Sequence, residues 1–345
     1  MRIRHDELRV LSARVFRAAG CDEAEADRIA VRLVEANLVG HDSHGVIRIP
    51  SYVQWLKDGK VVAGQSIRVV LENEALAVVD GGFGFGQSIG EQAVRVGVEK
   101  ARRHGVAVVA LRDSGHLGRI GDWPQLAAEA GLLSLHFVNT TGAGILVAPF
   151  GGIERRLSAN PIAAGVPVGA GAGAPMILDM SACTIAEGKI RVALNKGVAV
   201  PEGCLIDAEG KPTTDPRVFY GTPPGAILGI AGHKGYGLAV LCEVLAGALT
   251  GGGCSDPAKA GRVVNGMLSI YLDPSRFRDS ADYAAEIERF TAWVKSSAKA
   301  APGGDILMPG EIEARTKAAR LRDGIDLDET TWAQIEATGK SVGAA

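Results

Sequence analysis

Two histidines stand where an imidazole could move a proton on a bound molecule. His116 lies in the segment DSGHLGRIGDW, directly after the apolar run GVAVVALR, which the sequence predicts to be a β-strand. The carboxyl end of a sheet strand commonly opens toward a binding site, and an imidazole there accepts or donates a proton near neutral pH. A histidine that caps a loop gives the same pattern, so spacing alone leaves both interpretations open.

The second histidine, His44, has neighbours that suit a ligand carrying a carboxylate. It lies in the segment DSHGVIR, where Asp42 or Ser43 could orient the ring and Arg48 follows four residues later. A guanidinium fork binds a carboxylate, and an imidazole handles the proton of a neighbouring hydroxyl. Interconversion of a 2-hydroxy acid and a 2-oxo acid requires these two groups. Pro50 disfavours a helix through residues 44–48, so a structural histidine beside a surface arginine is the alternative.

A glycine-rich segment, DGGFGFGQSIG at residues 80–90, follows a predicted strand and invites comparison with a dinucleotide-binding turn. Its glycines are spaced Gly84-x-Gly86-x-x-x-Gly90, and His104 stands where an acidic residue would bind a ribose hydroxyl. Both features depart from the Rossmann fingerprint. The segment therefore predicts a glycine-rich strand-to-helix turn.

A lysine flanked by glycines opens the apolar segment GHKGYGLAVLCEVLAGALTGG at residues 232–252. Free N–H groups at a helix start, together with Lys234, would form an anion cradle that suits a pyrophosphate. The Walker A pattern is absent, which removes the main support for phosphoryl transfer. A buried helix whose glycines allow close packing is the alternative, although it does not account for Lys234.

Metal-binding interpretations have little support in the residues. His41-x-x-His44 with Asp42 has the spacing of metal ligands, but HExxH is absent and no third ligand is fixed. The five cysteines are widely spaced and form no CxxC pair. We therefore expect reduced thiols and no metal.

Helices at the start of the chain must position His44 and Arg48. Asp22 is a predicted N-cap for a helix that ends near Gly40, and Pro50 a predicted first-turn residue of a helix that stops at Gly59. The chain after Ala281 is predicted to be amphipathic helix that packs against the rest of the protein.

Strands are predicted from residue 75 onward. β-Branched runs begin near residues 75, 105, 132, 175 and 266 and alternate with helical or loop sequence. Stretches rich in Gly, Pro and Ala at 163–175 and 221–232 are predicted to be loops. This order of elements predicts an α/β or mixed α+β fold.

Composition excludes several classes of function. The chain has 345 residues with 37 basic and 39 acidic side chains, and its near-neutral balance gives no footprint for nucleic acid or an anionic membrane. Its 46 glycines are roughly twice the usual share and predict loops around a ligand. No signal-peptide pattern is visible and no apolar run reaches the about 20 residues of a membrane span. We expect a cytoplasmic protein that acts on a small molecule.

In order along the chain, its segments resemble the type-2 malate/L-lactate dehydrogenases, a family that includes ureidoglycolate dehydrogenases, sulfolactate dehydrogenases and cyclic imine 2-carboxylate reductases. The matching segments are DSHGVIRIPSY (42–52), VDGGFGFGQ (79–87), GHLGRIGDW (115–123), VAPFGG (147–152), ANPIAAGVP (159–167), DMSACTIAEGKIRVA (179–193), HKGYGLAVLCEVLAGALTGG (233–252) and ILMPGE (306–311). GHLGRIGDW, LSLHFVNTTG, KGVAVPEGCLIDAEGKPTTDP and ILMPGE look closest to the hydroxycarboxylate dehydrogenase B branch.

The resemblance implies an architecture, a cofactor and an assembly. It implies a non-Rossmann, nicotinamide-binding sheet domain at residues 75–280 and a helical substrate and dimerisation domain formed by residues 1–74 with 281–345. It implies NAD or NADP, with NAD favoured, and a homodimer whose two subunits shape the cleft. No readable acid or arginine motif in the sequence decides between the two cofactors.

The resemblance also implies roles for individual residues. Ser43 and His44 match the serine-histidine pair of the family, Arg48 its substrate-carboxylate arginine, and His116 the proton acceptor of its ureidoglycolate members. The substrate-side positions, besides Arg48, are Ala159, Glu187, Gly188 and Lys189. The cofactor-contacting stretches match His116, Leu117, Gly118, Arg119, Ile120, Asp179, Met180, Ser181, His233, Lys234, Pro309, Gly310 and Glu311.

Three positions depart from the family pattern. Ala159 stands in Ser-Ala-Asn-Pro where Gly-Thr-Asn-Pro is usual, which removes a hydroxyl that touches substrate in relatives. Glu187-Gly188 replaces Arg-Gly and changes the charge of that segment. Imine reductases carry an aspartate at the position of Lys189, completing a Ser-His-Asp relay. Since this chain lacks that aspartate, we expect an alcohol dehydrogenase more than an imine reductase.

These observations together predict hydride transfer between NAD(P) and a small 2-hydroxy or 2-oxo acid of the malate, lactate or aromatic type. His116 is predicted to act directly on the substrate oxygen, His44 to orient the substrate or relay its proton, and Arg48 to hold the carboxylate. Cyclic imine reduction is the alternative within the family. A zinc hydrolase using His41, His44 and His116, and a non-catalytic binding protein, are alternatives from other classes.

Overall fold

The computed structural model describes residues 1–168, 174–259, 261–301 and 303–344, which form ten α-helices and twelve β-strands. The helices are α1 (His5–Ala18), α2 (Glu23–Leu38), α3 (Ile49–Lys57), α4 (Gly86–His104), α5 (Asp122–Glu129), α6 (Glu187–Lys196), α7 (His233–Cys242), α8 (Ser280–Lys295), α9 (Glu311–Asp323) and α10 (Glu329–Ser341). The strands are β1 (Arg2–Ile3), β2 (Arg68–Glu72), β3 (Leu76–Asp80), β4 (Val106–Ser114), β5 (Leu133–Gly142), β6 (Ile162–Val166), β7 (Met176–Met180), β8 (Leu205–Ile206), β9 (Pro212–Thr213), β10 (Ala226–Ile227), β11 (Val263–Leu272) and β12 (Ile325–Asp326). A π-helical turn, Glu243–Ala248, continues α7.

A seven-stranded mixed sheet runs in the order β2-β3-β4-β11-β5-β6-β7. The β3–β4 pair is parallel and is joined by α4, whereas the other neighbouring pairs of this sheet are antiparallel. α4 packs closely on the sheet because it carries glycine at the contact: a Cβ at Gly97 would lie 2.1 Å from the ring of Tyr271. The mixed α/β class predicted from the sequence is confirmed.

All five predicted strands are present, as β3, β4, β5, β7 and β11. The sequence did not predict β2, whose five residues are all exposed and so carry no buried alternation. The loop predicted at 163–175 is wrong at its start, because Ala163 and Ala164 belong to β6 between β5 and β7. Residues 169–173 of that stretch lie outside the described residues.

A helical layer is built from α1, α2, α3 and α10, which share a core that includes Phe16, Tyr52 and Ile335. Asp22 caps α2, since its carboxylate accepts the backbone N–H of Glu25 at 2.7 Å. Pro50 lies in the first turn of α3, and that helix ends at Lys57. These local features agree with the sequence analysis.

The two ends of the chain are hydrogen-bonded to each other. β1 pairs antiparallel with β12, and the amino group of Met1 donates to the carbonyl of Leu327 at 2.7 Å. The predicted division into residues 1–74 with 281–345 and residues 75–280 stays a prediction. Its boundary at residue 74 would separate β2 from the sheet to which it is hydrogen-bonded, so a boundary before Arg68 fits the pairing better.

The expectation of packed amphipathic helix after Ala281 holds for α10, which buries Ile335, but not for α8. α8 has no buried residue, and Phe290 and Trp293 on it are 45% and 68% exposed.

Within the described ranges, every helix is too short or too polar to cross a membrane.

His136 is a fully buried histidine of β5. Its Nδ1 lies 2.8 Å from Ser269 Oγ and its Nε2 3.0 Å from Ser134 Oγ, and burial lowers its pKa to about 3. In the unfolded chain a histidine has a pKa of about 6.5, so between these values the unfolded state binds a proton that the folded state does not. We expect the free energy of unfolding to fall as the pH is lowered through this window, by up to about 1.4 kcal/mol per pH unit from this residue.

Urea unfolding at a series of pH values, for the wild type and His136→Gln, measures this contribution. The variant should lose stability less steeply with falling pH, whatever its stability near neutrality. Parallel pH dependences for the two proteins would contradict the assignment.

Candidate active site

The turn between α2 and α3 is held in one conformation by Asn37. The side-chain oxygen of Asn37 accepts the N–H of Val46 at 2.9 Å, and its amide donates to Asp42 at 2.6 Å. Gly45 passes so close to this amide that a Cβ would lie 2.2 Å from the Asn37 oxygen. The turn therefore requires glycine at position 45 and fixes the residues on either side of it.

Ser43, His44 and Arg48 are connected by hydrogen bonds within this turn. Ser43 Oγ lies 2.9 Å from His44 Nδ1, and Arg48 Nε donates to the carbonyl of Ser43 at 2.6 Å. Of the two residues that the sequence offered for orienting His44, the structure places Ser43 at the ring. Asp42 instead forms an ion pair with Arg320 of α9.

His116 follows β4 and is held by the phenol of Tyr52. The Tyr52 hydroxyl lies 2.7 Å from His116 Nδ1 and accepts a hydrogen bond from Gln87 Nε2 at 3.1 Å. The backbone here is tight as well, because a Cβ at Gly86 would lie 2.2 Å from the carbonyl oxygen of His116. The glycine-rich strand-to-helix turn at residues 80–90 is thus part of the support of His116.

The two histidine rings lie side by side. Their centroids are 5.6 Å apart and their planes differ by 14°. In each ring Nδ1 is engaged, by Ser43 or by Tyr52, while among the described residues Nε2 of neither ring has a hydrogen-bond partner. Two imidazole nitrogens and the outer guanidinium nitrogens of Arg48 are thus available to a ligand.

Burial and positive charge keep both rings neutral in the free protein. Burial, and then the charge of Arg48, lower the pKa of His116 to about 3 and that of His44 well below its ordinary value. Burial raises the pKa of Tyr52 to about 12, so this residue remains a phenol. The free site therefore presents proton acceptors next to a fixed cation.

Three of the stretches assigned to the cofactor meet along β7. The N–H of Gly121, directly after Ile120, donates to Asp179 at 2.8 Å, and the N–H of Ile177 donates to the carbonyl of Pro309 at 3.2 Å. Arg119 is buried in an ion pair with Asp122 at 2.8 Å. The residues gathered here are Leu117, Gly118, Arg119, Ile120, Asp179, Met180, Ser181, Pro309, Gly310 and Glu311.

The fourth cofactor stretch lies where the chain leaves β7. His233 and Lys234 begin α7 and are exposed. The N–H of Ile230 donates to the carbonyl of Ala182 at 2.9 Å, which brings the loop before α7 next to Ser181. The structure describes no direct contact between Lys234 and the other three stretches.

The residues predicted to lie on the substrate side have different surroundings in the structure. Ala159 is joined to the segment that follows β7, because its carbonyl accepts the N–H of Ala182 at 2.9 Å. Gly188 lies against Ser43, where a Cβ would come within 3.0 Å of the serine side chain. Glu187 turns away and binds Arg191 and Tyr220, and Lys189 is exposed.

Sequence reasoning missed Tyr52 and Gln87. Tyr52 follows Arg48 by one helical turn and Gln87 follows the last glycine of the strand-to-helix turn, and both lie in segments that carried the family resemblance. The sequence does not show that they contact His116, because Tyr52 lies 64 positions and Gln87 29 positions away from it in the chain.

His41 does not join the other histidines. Its ring lies 3.5 Å from Glu313 and 3.9 Å from Asp179. Within the described ranges, no three His, Cys, Asp or Glu side chains are grouped so as to hold a metal ion.

Comparison with known proteins relates this geometry to a family. The family model described as malate/L-lactate dehydrogenase matches residues 3–336. The chain belongs to the malate/L-lactate dehydrogenase family. It is 42% identical over 336 residues to hydroxycarboxylate dehydrogenase B of Escherichia coli, covering 95% of this chain and 91% of that protein.

Solved structures of the family superpose on almost the whole chain. The sulfolactate dehydrogenase of Methanocaldococcus jannaschii has a TM-score of 0.86 at 35% identity, covering 99% of this chain and 98% of that one. The delta1-piperideine-2-carboxylate reductase of Pseudomonas syringae has a TM-score of 0.85 at 29% identity, covering 98% and 99%. The fold that the resemblance implied is therefore confirmed.

Proposed function

We propose that this member of the malate/L-lactate dehydrogenase family, an oxidoreductase of hydroxycarboxylic acids, transfers a hydride between a nicotinamide cofactor and C2 of a small 2-hydroxy or 2-oxo acid. The single observation that carries the proposal is the grouping of the guanidinium of Arg48 with two imidazole Nε2 atoms that have no partner among the described residues. Since Arg48 Nε is engaged by Ser43, the fork that remains suits a carboxylate. An imidazole beside it suits the adjacent hydroxyl or carbonyl oxygen.

In the direction of oxidation, His116 removes the hydroxyl proton through Nε2. Its Nδ1–H then donates to the Tyr52 oxygen, which also accepts from Gln87. Proton removal through Nε2 uses the tautomer in which Nδ1–H donates to the Tyr52 oxygen, because only that tautomer leaves Nε2 as the acceptor. Ser43 holds His44 in a parallel plane, where its Nε2 can orient the substrate.

In the direction of reduction, His116 must donate a proton to the carbonyl oxygen. The pKa of this ring is lowered to about 3, chiefly by burial and next by the charge of Arg48. A bound carboxylate offsets the charge of Arg48, so the ring accepts a proton more readily in the complex. Reduction should therefore slow as the pH rises, and oxidation should slow as it falls.

The residues along β7 fit a nicotinamide dinucleotide. Among the described residues, the buried Arg119 Nε has no hydrogen-bond partner, and a Cβ at Gly121 would lie 2.9 Å from the Asp179 carboxylate and from the Arg119 guanidinium. Backbone and guanidinium N–H groups of this kind bind phosphate oxygens. The proposed holders are the stretches at 116–120, 179–181, 233–234 and 309–311, and the cofactor supplies or accepts the hydride.

Of the two cofactors, we propose NAD as the preferred one. Asp179, Glu311 and Glu313 lie in or beside the proposed cofactor stretches. Carboxylates bind ribose hydroxyls and repel the 2′-phosphate of NADP. Comparing kcat/KM for NADH and NADPH with one oxo acid tests this preference.

The oxidation of NADH or NADPH, followed by absorbance with a panel of 2-oxo acids and cyclic imines, tests the function. We expect turnover with 2-oxo acids and little with ketones of the same size that lack the carboxylate. If no acid or imine oxidises either cofactor, the proposal fails. Chelator-sensitive hydrolysis would instead support the zinc hydrolase.

Cyclic imine reduction is the second candidate, because a piperideine carboxylate reductase is a structural neighbour. Here, however, the Lys189 side chain is exposed, and Ser43 is the hydrogen-bond partner of His44. The Ser-His-Asp relay of the imine reductases is thus incomplete at the position that would supply its aspartate. A higher kcat/KM for a cyclic imine than for every oxo acid would reverse this order.

We propose a homodimer as the functional assembly. Val240, Leu241 and Val244, on α7 and the π-helical turn, are 37%, 43% and 51% exposed, and the face of α8 with Trp293 is uncovered. Apolar patches of this kind mark protein interfaces. Light scattering should give twice the mass of one chain, and Val244→Glu should lower it. A wild-type monomer would contradict the proposal.

A further inference from the structure

Glu243 is a buried carboxylate that the proposed reaction does not use. It is 5% exposed and begins the π-helical turn after α7. Its Oε2 accepts the N–H of Ser255 at 2.8 Å and the amide of Asn139 at 3.0 Å, and its Oε1 accepts the hydroxyl of Ser255 at 2.6 Å and the amide of Asn160 at 2.9 Å. All four partners are donors, which is the set that an ionised carboxylate accepts.

The four groups that donate hydrogen bonds to Glu243 are all uncharged. Within the described ranges no Lys, Arg or His nitrogen forms an ion pair with Glu243. A buried carboxylate is costly unless hydrogen bonds replace its hydration. π-Helical turns inside α-helices are also frequent at functional sites. A glutamate kept here without a cation therefore calls for a role beyond the packing of α7.

One arm of this network reaches the substrate-side segment. Asn160 has a positive φ of 38°, a conformation that asparagine tolerates but that needs support. Its side chain is held by Glu243, by the carbonyl of Ala239 at 3.0 Å and by the hydroxyl of Ser158 at 2.7 Å. Asn160 directly follows Ala159, so the Glu243 carboxylate fixes the backbone of that segment.

The other arm reaches His116. The amide of Asn139 joins Glu243, and the carbonyl of Asn139 accepts from Asn265 Nδ2 at 2.9 Å. Asn265 Oδ1 in turn accepts the N–H of Leu117, the residue after His116, at 2.9 Å. Two asparagine side chains thus connect Glu243 to the loop that carries the proposed acid/base.

Glycines leave room for this network. A Cβ at Gly247 would lie 2.7 Å from the amide nitrogen of Asn139, and one at Gly266 would lie 2.8 Å from its amide oxygen. A side chain at either position would meet the Asn139 amide and also a backbone carbonyl, that of Gly253 for Gly247 and that of Ala246 for Gly266. The chain is therefore built around the Asn139 side chain on both sides.

We propose that Glu243 is a positioning residue that holds the 158–160 segment and the His116–Leu117 turn in one relative placement. The inference rests on the proposed function, because it assigns these two segments to substrate and proton transfer. One carboxylate bound by Asn139 on one oxygen and by Asn160 on the other sets the spacing between them.

The test is Glu243→Gln, which keeps the shape but replaces one acceptor oxygen by a donor. The new NH2 must face either Asn139 or Asn160. The Asn139 amide now also donates to the carbonyl of Gly253, and the Asn160 amide to the carbonyl of Ala239. Flipping either asparagine to accept from the new NH2 would place its oxygen against that carbonyl. We expect kcat to fall about 10- to 100-fold with a smaller change in KM, since displacements of about 1 Å cost up to about 10²-fold.

Hydrogen exchange provides a second readout that needs no substrate. In Glu243→Gln, amide exchange should accelerate in the peptides that contain Leu117 and Ala159–Asn160. Thr250→Val is the matched control, because Thr250 is buried near the same turn and, in the part of the chain that the structure describes, its hydroxyl bonds only to the carbonyls of Ala246 and Gly247 and the N–H of Gly252. The control should alter Tm without changing kcat or exchange in either peptide.

Unchanged kcat and unchanged exchange in folded Glu243→Gln would overturn the proposal, even if Tm falls. If that variant does not fold, Glu243→Asp decides by the same two readouts, because its shorter arm keeps the charge but cannot span both amides. A wild type that turns over no oxo acid or imine refutes the proposed function. The exchange result still decides whether Glu243 holds the two segments.

Discussion

Replacing His116 by alanine is expected to lower kcat by roughly 10²–10⁴-fold, the range for a lost general acid or base. The expectation rests on geometry: Tyr52 binds Nδ1 at 2.7 Å, which leaves Nε2 as the atom that meets the substrate oxygen. His44 should behave differently, since its ring is oriented by Ser43 and lies beside Arg48, which we propose binds the substrate carboxylate. His44→Ala should lose less turnover and more substrate affinity.

Pre-steady-state hydride transfer across a range of pH separates the two roles. In His116→Ala the rate should be low and should lose the pH dependence that His116 confers. In His44→Ala the pH dependence should persist. If His116→Ala keeps fast transfer with an unchanged profile while His44→Ala abolishes it, the roles are exchanged and His44 is the acid/base.

The second large effect is expected for Arg48→Lys, although the charge is kept. Arg48 is proposed to make two kinds of contact at once, because Nε binds the Ser43 carbonyl at 2.6 Å and the outer nitrogens remain for the substrate carboxylate. A lysine ammonium is a point charge. It cannot donate to the Ser43 carbonyl and at the same time form a bidentate pair with a carboxylate. Loss of about 1.5–3 kcal/mol of binding corresponds to roughly tenfold to a few hundredfold in kcat/KM.

The matched control is Arg320→Lys, which alters an arginine on the outer side of the same turn. Arg320 pairs with Asp42, which does not contact Arg48, and is exposed to solvent in part. Its variant should keep kcat/KM near the wild-type value. A methyl ester of the best oxo acid completes the test, since wild type and Arg48→Lys should differ far less on a substrate without the charge. Wild-type kcat/KM in Arg48→Lys would remove Arg48 from the site.

Local features of the fold and site were within reach of the sequence. The Asp22 cap, the position of Pro50 and the five recognised strands depend on neighbouring residues, and so does the contact of Ser43 with His44. These follow from propensity and spacing over a few residues.

Other features depend on residues that are distant in the chain. The sequence did not show that Tyr52 holds His116 or that Tyr220 binds the Glu187 carboxylate, since these contacts are made by packing of separate elements. β2 was missed because its residues are all exposed, and β6 because its small residues resemble a loop until β5 and β7 are placed on either side.

The joined ends of the chain have a consequence for biosynthesis. Because β1 pairs with β12 and the first residues share a core with Ile325 and Ile335, the helical layer is complete only when the C-terminal region has left the ribosome. The seven-stranded sheet needs nothing beyond Leu272 and can form earlier. α3, which supports Arg48 and Tyr52, docks on α10 in that late layer. The nascent chain is therefore expected to pass through a stage in which the sheet is folded but the turn that carries His44 and Arg48 is still unformed. In that stage the unfolded segments are accessible to chaperones and proteases.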